Sequence, residues 1–118
     1  MKDLAPQIYR QRLLIEGLYE IDVQVDTVHE FFAALLTGMG ANAAGDAIVN
    51  SSLGQGRAEN QGIEAFIPLI ESGVALYTWQ SSRFISLIIY TCKAFEEDQA
   101  LAIVADFFQL SQMEFKSF

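Results

Sequence analysis

The sequence predicts an α+β fold: a two-layer sandwich in which an antiparallel sheet carries two helices on one face. Three observations point there. Short apolar runs rich in β-branched and aromatic residues cluster between residues 46 and 91. One stretch before that cluster and one after it repeat apolar residues at three- and four-residue spacing. Strands grouped in sequence, with helices outside the group, favour a sheet covered on one side over alternating parallel units.

Taken in order, residues 1–10 read as a loosely ordered lead-in. Arg12 to Leu18 reads as a strand, with Gly17 a candidate bulge. Thr27 is the candidate N-cap of the first helix, with Glu30 completing a capping box and Asp26 the alternative cap. Val28, Phe31, Phe32, Leu35, Leu36 and Met39 form its apolar stripe, and Gly38 and Gly40 are its stop signals. Asp46 to Ser52 reads as the second strand. Leu53 to Gly62 is polar, contains three glycines and reads as a mobile loop. Gly62 to Ile70 is the third strand, where Pro68 points to an edge position or a bulge. After a break at Ser72-Gly73, Val74 to Trp79 is the fourth and Arg83 to Thr91 the fifth. Glu96, Glu97 and Asp98 open a second helix, where the macrodipole favours acids. Leu101, Val104, Phe107, Phe108 and Leu110 supply its apolar face. The predicted order is β-α-β-β-β-β-α in a single domain spanning residues 1–118.

A chain of 118 residues is one domain by size, with a modest core. Seven Lys and Arg against fifteen Asp and Glu give a net charge of −8. The cations are scattered, with only Arg10 and Arg12 close together, so the basic patch expected of a nucleic-acid binder is missing. An acidic surface keeps a protein dispersed and favours cationic ligands such as amines. No apolar run reaches the roughly 18 residues of a membrane helix, and the N-terminus lacks an apolar signal core. With a single cysteine, Cys92, an internal disulfide is impossible, and the cytoplasm is the expected location. One histidine and one cysteine far apart in sequence do not make a zinc site. The glycines of 53–62 precede no Gly-Lys-Ser/Thr, so that loop is not a phosphate loop.

The residues that stand out are Glu16, the Glu71-Ser72-Gly73 segment, Tyr77-Thr78-Trp79 and Tyr90-Thr91-Cys92. On residue chemistry alone, Ser72 suits a tight Ser-Gly turn and Cys92 a small buried apolar position. Tyr77 and Trp79 alternate on one strand face and suit packing. Glu16, on a mostly apolar strand, needs a partner if partly buried, and Arg12 or Arg83 are the candidates. His29, just inside a helix, is expected to be exposed.

The segment Ile70 to Trp79 resembles the cleavage-site segment of bacterial-type S-adenosylmethionine decarboxylases, roughly Ala-Glu-Ser-His followed by His-Thr-Trp-Pro-Glu. Tyr90-Thr91-Cys92-Lys93 resembles the Tyr/Phe-Thr-Cys-Gly that ends the next strand of that family. Ile15-Glu16-Gly17 is similar to the aromatic-Glu-Gly of its eukaryotic branch. The resemblance covers about residues 11–110. It implies a two-layer sandwich, usually paired as dimers in bacteria, that makes the aminopropyl donor for spermidine. It further implies a pyruvoyl group made by self-cleavage between Glu71 and Ser72. In that scheme the Ser72 hydroxyl attacks the preceding carbonyl to give an ester. Removal of the α-proton eliminates the ester, and Ser72 becomes the pyruvoyl electron sink. Glu71 becomes the new C-terminus. Cys92 matches the family's proton donor, Glu16 a carboxylate near the active site, and Tyr77 stands where the processing base stands.

The chain departs from this pattern at several positions. Gly73 and Tyr77 replace two histidines, Gln80 and Ser81 replace Pro-Glu, and Ile15 stands where the eukaryotic pattern has an aromatic. A histidine titrates near 6.5 and serves as a base at neutral pH; a tyrosine, near 10, stays protonated. The sequence therefore predicts an unprocessed homologue with a binding or regulatory role. It is expected to form a homodimer or pair with a paralogue, and to take a small amine or nucleoside ligand. The alternative is an active pyruvoyl-dependent decarboxylase acting on S-adenosylmethionine or another amino acid.

Overall fold

A computed structural model describes residues 1–118. Its elements are β1 (Gln11–Tyr19), α1 (Val25–Met39), β2 (Ile48–Ser52), β3 (Gly62–Leu69), β4 (Ser72–Trp79), β5 (Phe84–Thr91), α2 (Glu97–Phe108) and β6 (Leu110–Ser117). The six strands form one antiparallel sheet in the order β2-β3-β4-β5-β1-β6. α1 takes the chain from β1 to the far edge strand β2, and α2 takes it from β5 past β1 to the other edge, β6. This is the α+β sandwich that the sequence predicts.

Period-2 alternation sends one side chain of each pair toward the helices. Leu13 and Ile15 of β1, Val74 and Leu76 of β4, and Ile85, Leu87 and Ile89 of β5 lose all exposure there. α1 answers with Val28, Phe31, Phe32, Leu35 and Leu36, and α2 with Ala100, Leu101, Val104 and Phe108. Phe31 is the centre of the helix layer. Its ring centroid lies 4.6 Å from that of Phe108, 5.3 Å from Phe107 and 5.9 Å from Phe32, in the tilted and edge-on arrangements that aromatic quadrupoles favour.

Several boundaries differ from the sequence reading. The sixth strand, β6, was not expected. It is an edge strand whose residues are mostly exposed, so it carries no apolar run. Leu110, expected on the second helix, is its first residue. That helix ends at Gln109, which takes the left-handed conformation (φ 51°, ψ 59°) without the usual glycine. α1 starts at Val25, so Thr27 is its third residue and not its cap; the Thr27 hydroxyl accepts the Gln24 amide at 3.0 Å. Gly38 lies inside α1, where a δ-carbon of Ile103 from α2 fills the space a Cβ would need. Gly40 alone is the stop, at φ 68°. The bulge falls between Leu18 and Tyr19 in the ladder to β6, one residue beyond Gly17. Pro68 lies in an interior strand, but past the last β2–β3 pair, Ile48 with Phe66. Its side of β3 is free of a ladder there, and its carbonyl accepts the Ala44 amide at 2.9 Å. Residues 53–62 contain two short 3-10 turns, Gly54–Gly56 and Ala58–Asn60.

Arg83 ties the β4–β5 turn to the end of β1. Its side chain donates to the carbonyls of Tyr19 (3.1 Å) and Ile21 (2.8 Å), and its guanidinium lies 5.4 Å from the Tyr19 ring centroid. Burial raises the Tyr19 phenol above its ordinary range, and the Arg83 charge opposes that only in part. Residues 1–10 form no helix or strand; an ion pair between Arg10 and Asp3 closes them on themselves.

Because Phe31 is fully buried and packs α1 against Phe107 and Phe108 of α2, Phe31→Ala should lower stability by about 3–5 kcal/mol. The check is urea unfolding, with a lower midpoint at unchanged slope.

Candidate active site at the β3–β4 hairpin

The hairpin turns on two residues, Ile70 and Glu71, because Leu69 already pairs with Ser72. Ser72 is therefore the first residue of β4, and the break expected at Ser72-Gly73 falls two residues earlier, at Ile70-Glu71. Glu71 takes φ 53°, the left-handed region, at a cost of about 1 kcal/mol for a residue with a Cβ. The strained residue is the one that precedes Ser72.

β5 brings Cys92 to this end of the sheet. The Cys92 amide donates to Ser72 Oγ at 2.9 Å, and the Ser72 hydroxyl donates to Cys92 Sγ at 3.4 Å. The thiol in turn reaches the Ile70 carbonyl at 3.6 Å. One hydroxyl thus uses its donor and one acceptor on a single neighbour, and the serine is held in place. Both residues are half-buried.

A cavity of about 330 Å³ opens beside the pair. One wall is the end of α1, from Met39 to Asn42, and the other is the Lys93–Phe95 segment. That segment is pinned by Gln11, whose side-chain amide donates to the Phe95 carbonyl (3.0 Å) and accepts the Phe95 amide (3.1 Å). Sequence reasoning did not single out Asn42, Lys93 or Gln11. Lys93 was visible only as a departure from the Thr-Cys-Gly pattern, and the other two had no local signal.

The structure separates the other two candidates from Ser72. Glu16 and Tyr77 both lie on the face away from the helices. Each is directly opposite Ser86, Tyr77 from β4 and Glu16 from β1, and the Ser86 hydroxyl donates to Glu16 at 2.7 Å. Neither expected arginine pairs with Glu16: Arg83 is committed to Tyr19 and Ile21, and Arg12 donates to the Phe118 carbonyl at 2.8 Å. Tyr77 is five residues from Ser72, about 16 Å along an extended strand, and points the other way. Trp79 shares its face and packs on Phe84, with ring centroids 5.4 Å apart. His29 is exposed on α1, and no group of three His, Cys, Asp or Glu residues is placed to hold a metal.

Gly73 also opens onto the face away from the helices, where the Phe66 ring covers it. A Cβ built there would meet two ring carbons at 2.5 Å. The glycine that stands at the family's histidine position is therefore packed, not merely small.

An antiparallel sheet under two helices, with a serine and a cysteine joined at the mouth of a hairpin cavity, defines a class of small α+β sandwich domains. The description of S-adenosylmethionine decarboxylase matches residues 14–118, and the chain belongs to that family. Among solved structures, the adenosylmethionine decarboxylase from Aquifex aeolicus VF5 superposes with a TM-score of 0.73 at 12% identity. That match covers 94% of this chain and 89% of the other, and it shows the shared fold. No curated protein matches the chain. The family is pyruvoyl-dependent.

Since Phe66 occupies the space over Gly73, Gly73→His should cost about 1–3 kcal/mol by overpacking. Phe66→Ala in the same chain should restore most of it. A double-mutant cycle by thermal or urea unfolding measures the coupling; additive effects would show that the ring does not constrain this position.

Proposed function

We propose that this protein is an uncleaved member of the S-adenosylmethionine decarboxylase family that acts in polyamine-type metabolism by binding, as a ligand-binding or regulatory homologue. One observation carries this reading: the side chains lining the cavity beside Ser72 include no imidazole and no carboxylate. The titratable side chains lining the cavity are Cys92 and Lys93, and the chain's one histidine lies exposed on α1. Pyruvoyl formation needs a base that takes the serine α-proton near neutral pH. Tyr77, at the family's base position, faces the other way and carries a phenol.

Ser72, Cys92 and the adjoining cavity do fit a pyruvoyl group in shape and order. Such a group supplies an electron sink for decarboxylation. Cys92 would hold the position of the Ser72 side chain through its amide and stand as the nearest proton source. Glu71 would end the first fragment. The strain at Glu71 and the pinned Ser72 hydroxyl favour the second reading, an active pyruvoyl-dependent decarboxylase that cleaves itself between Glu71 and Ser72.

Intact mass of the purified protein separates the two. A single mass for residues 1–118 is expected. Two fragments, 1–71 and 72–118, with the second lacking a free amino terminus, would establish the decarboxylase reading instead.

The uncovered sheet face supports the pairing of two copies. Ile48, Phe66 and Ile88 are exposed on it in one cross-strand row with Ala75 and half-buried Leu14, and Tyr77 and Tyr90 are exposed on either side of that row. Contiguous apolar surface of this kind marks an interaction site, and a like sheet is its natural complement. Sedimentation should show a dimer, and Ile88→Glu should convert it to a folded monomer. A wild-type monomer at micromolar concentration would exclude the homodimer and leave a paralogue as the partner.

A further inference from the structure

The charge of the cavity beside Ser72 is opposite to that of the molecule. Its walls are mainly apolar, from Met39, Ala41, Leu69, Ile70, Ala94 and Phe95. Lys93 is the one formally charged residue on them; none of the fifteen Asp and Glu lines the cavity. The chain's ion pair joins Arg10 to Asp3, so the Lys93 ammonium has no carboxylate partner. At the end of α1, the negative pole of its dipole, two of the orphan carbonyls are taken by backbone amides. The Gly40 amide donates to the Thr37 carbonyl at 3.2 Å, and the Ala41 amide to the Leu36 carbonyl at 2.9 Å. The strand end that presents Lys93 is fixed as well: the Thr91 hydroxyl donates to the Lys93 carbonyl at 2.8 Å, and Gln11 brackets Phe95 two residues on. The Asn42 amide and the Ser72 hydroxyl add hydrogen-bonding groups to the same space.

We propose that this cavity binds a small carboxylate with an apolar body, and that the Lys93 ammonium is the counter-charge that selects it. The proposal rests on the binding role argued above and names the ligand class for that role. A volume of about 330 Å³ lies at the small end of organic-ligand sites. Within a chain of net charge −8, an anion is repelled from most of the surface and is drawn to a cavity lined by one unpaired cation. Pairing a carboxylate with an ammonium also stabilises it before any loss of carbon dioxide, which leaves as a neutral molecule. Lys93 thus strengthens the ground state more than a decarboxylation transition state, and favours holding the ligand over reacting it.

The test uses the full-length protein and two probes of equal length and opposite charge, hexanoate and hexylamine, titrated up to about 50 mM by NMR. Hexanoate should shift resonances of Ala41, Ile70 and Phe95 saturably and bind at least about fivefold more tightly than hexylamine. Lys93→Gln should remove that preference with an unchanged melting temperature, and Lys93→Arg should keep it. Equal or tighter hexylamine binding, no saturable hexanoate binding, or a Lys93→Gln protein that binds hexanoate like wild type would overturn the proposal. Intact mass on the same sample keeps the two ideas apart: fragments overturn the uncleaved reading, whereas a single mass without hexanoate preference overturns only the ligand class.

Discussion

The burial of one sheet face beneath α1 and α2 constrains everything else in the molecule. Leu13, Ile15, Val74, Leu76, Ile85, Leu87 and Ile89 lose all exposure under the helices. A slip of one residue in β1, β4 or β5 would turn these side chains out and bring Glu16, Tyr77 or Ser86 in. Desolvating such groups without partners costs more than any local turn preference returns. The register is therefore set by the core, and every candidate functional residue inherits its position from that register.

The consequences are sharpest on β4 and β5. Ser72 pairs with Leu69 across the hairpin, and Gly73 pairs with both Pro68 and Tyr90. That register places Cys92, twenty positions along the chain, against the Ser72 hydroxyl. It equally places Tyr77 on the opposite face, across from Ser86. Two residue pairs result, each compact and well separated from the other. Ser72 and Cys92 sit at the end of the sheet beside a cavity. Glu16 and Tyr77 flank Ser86 in the middle of the uncovered face, in a row that runs from Glu64 to Glu114.

The departures from the family pattern lie in defined places in this geometry. Gly73 and Tyr77 both belong to the uncovered face, and the Phe66 ring rests on the glycine. The loss of a side chain at 73 is matched by an aromatic on the neighbouring strand, which shields an otherwise bare stretch of backbone. Ser72 and Cys92, which keep the family's residue types, are joined by two hydrogen bonds and share the cavity with Lys93. At the hairpin cavity Ser72 and Cys92 keep the family's types and Lys93 does not; Gly73 and Tyr77, which depart from it, face away, and so does Glu16, which keeps its type.

Much of this was legible in the residues. The grouping of short β-branched runs between two amphipathic stretches determined the α+β sandwich, because periods of 2 and 3.6 admit one burial solution each. The Glu-Ser, Thr-Trp and Tyr-Thr-Cys motifs determined the family. Polar edge strand β6 was not legible, since an exposed strand has no apolar alternation to betray it and Gln109 ends α2 without a glycine. The start of α1 was misplaced because a threonine serves at either end of a capping box. The partner of Glu16 and the company of Lys93 belong to the tertiary structure alone. Hydrogen bonds such as Ser86 to Glu16 and Gln11 to Phe95 join residues 70 and 84 positions apart, and only the packed sheet brings such distant positions within reach.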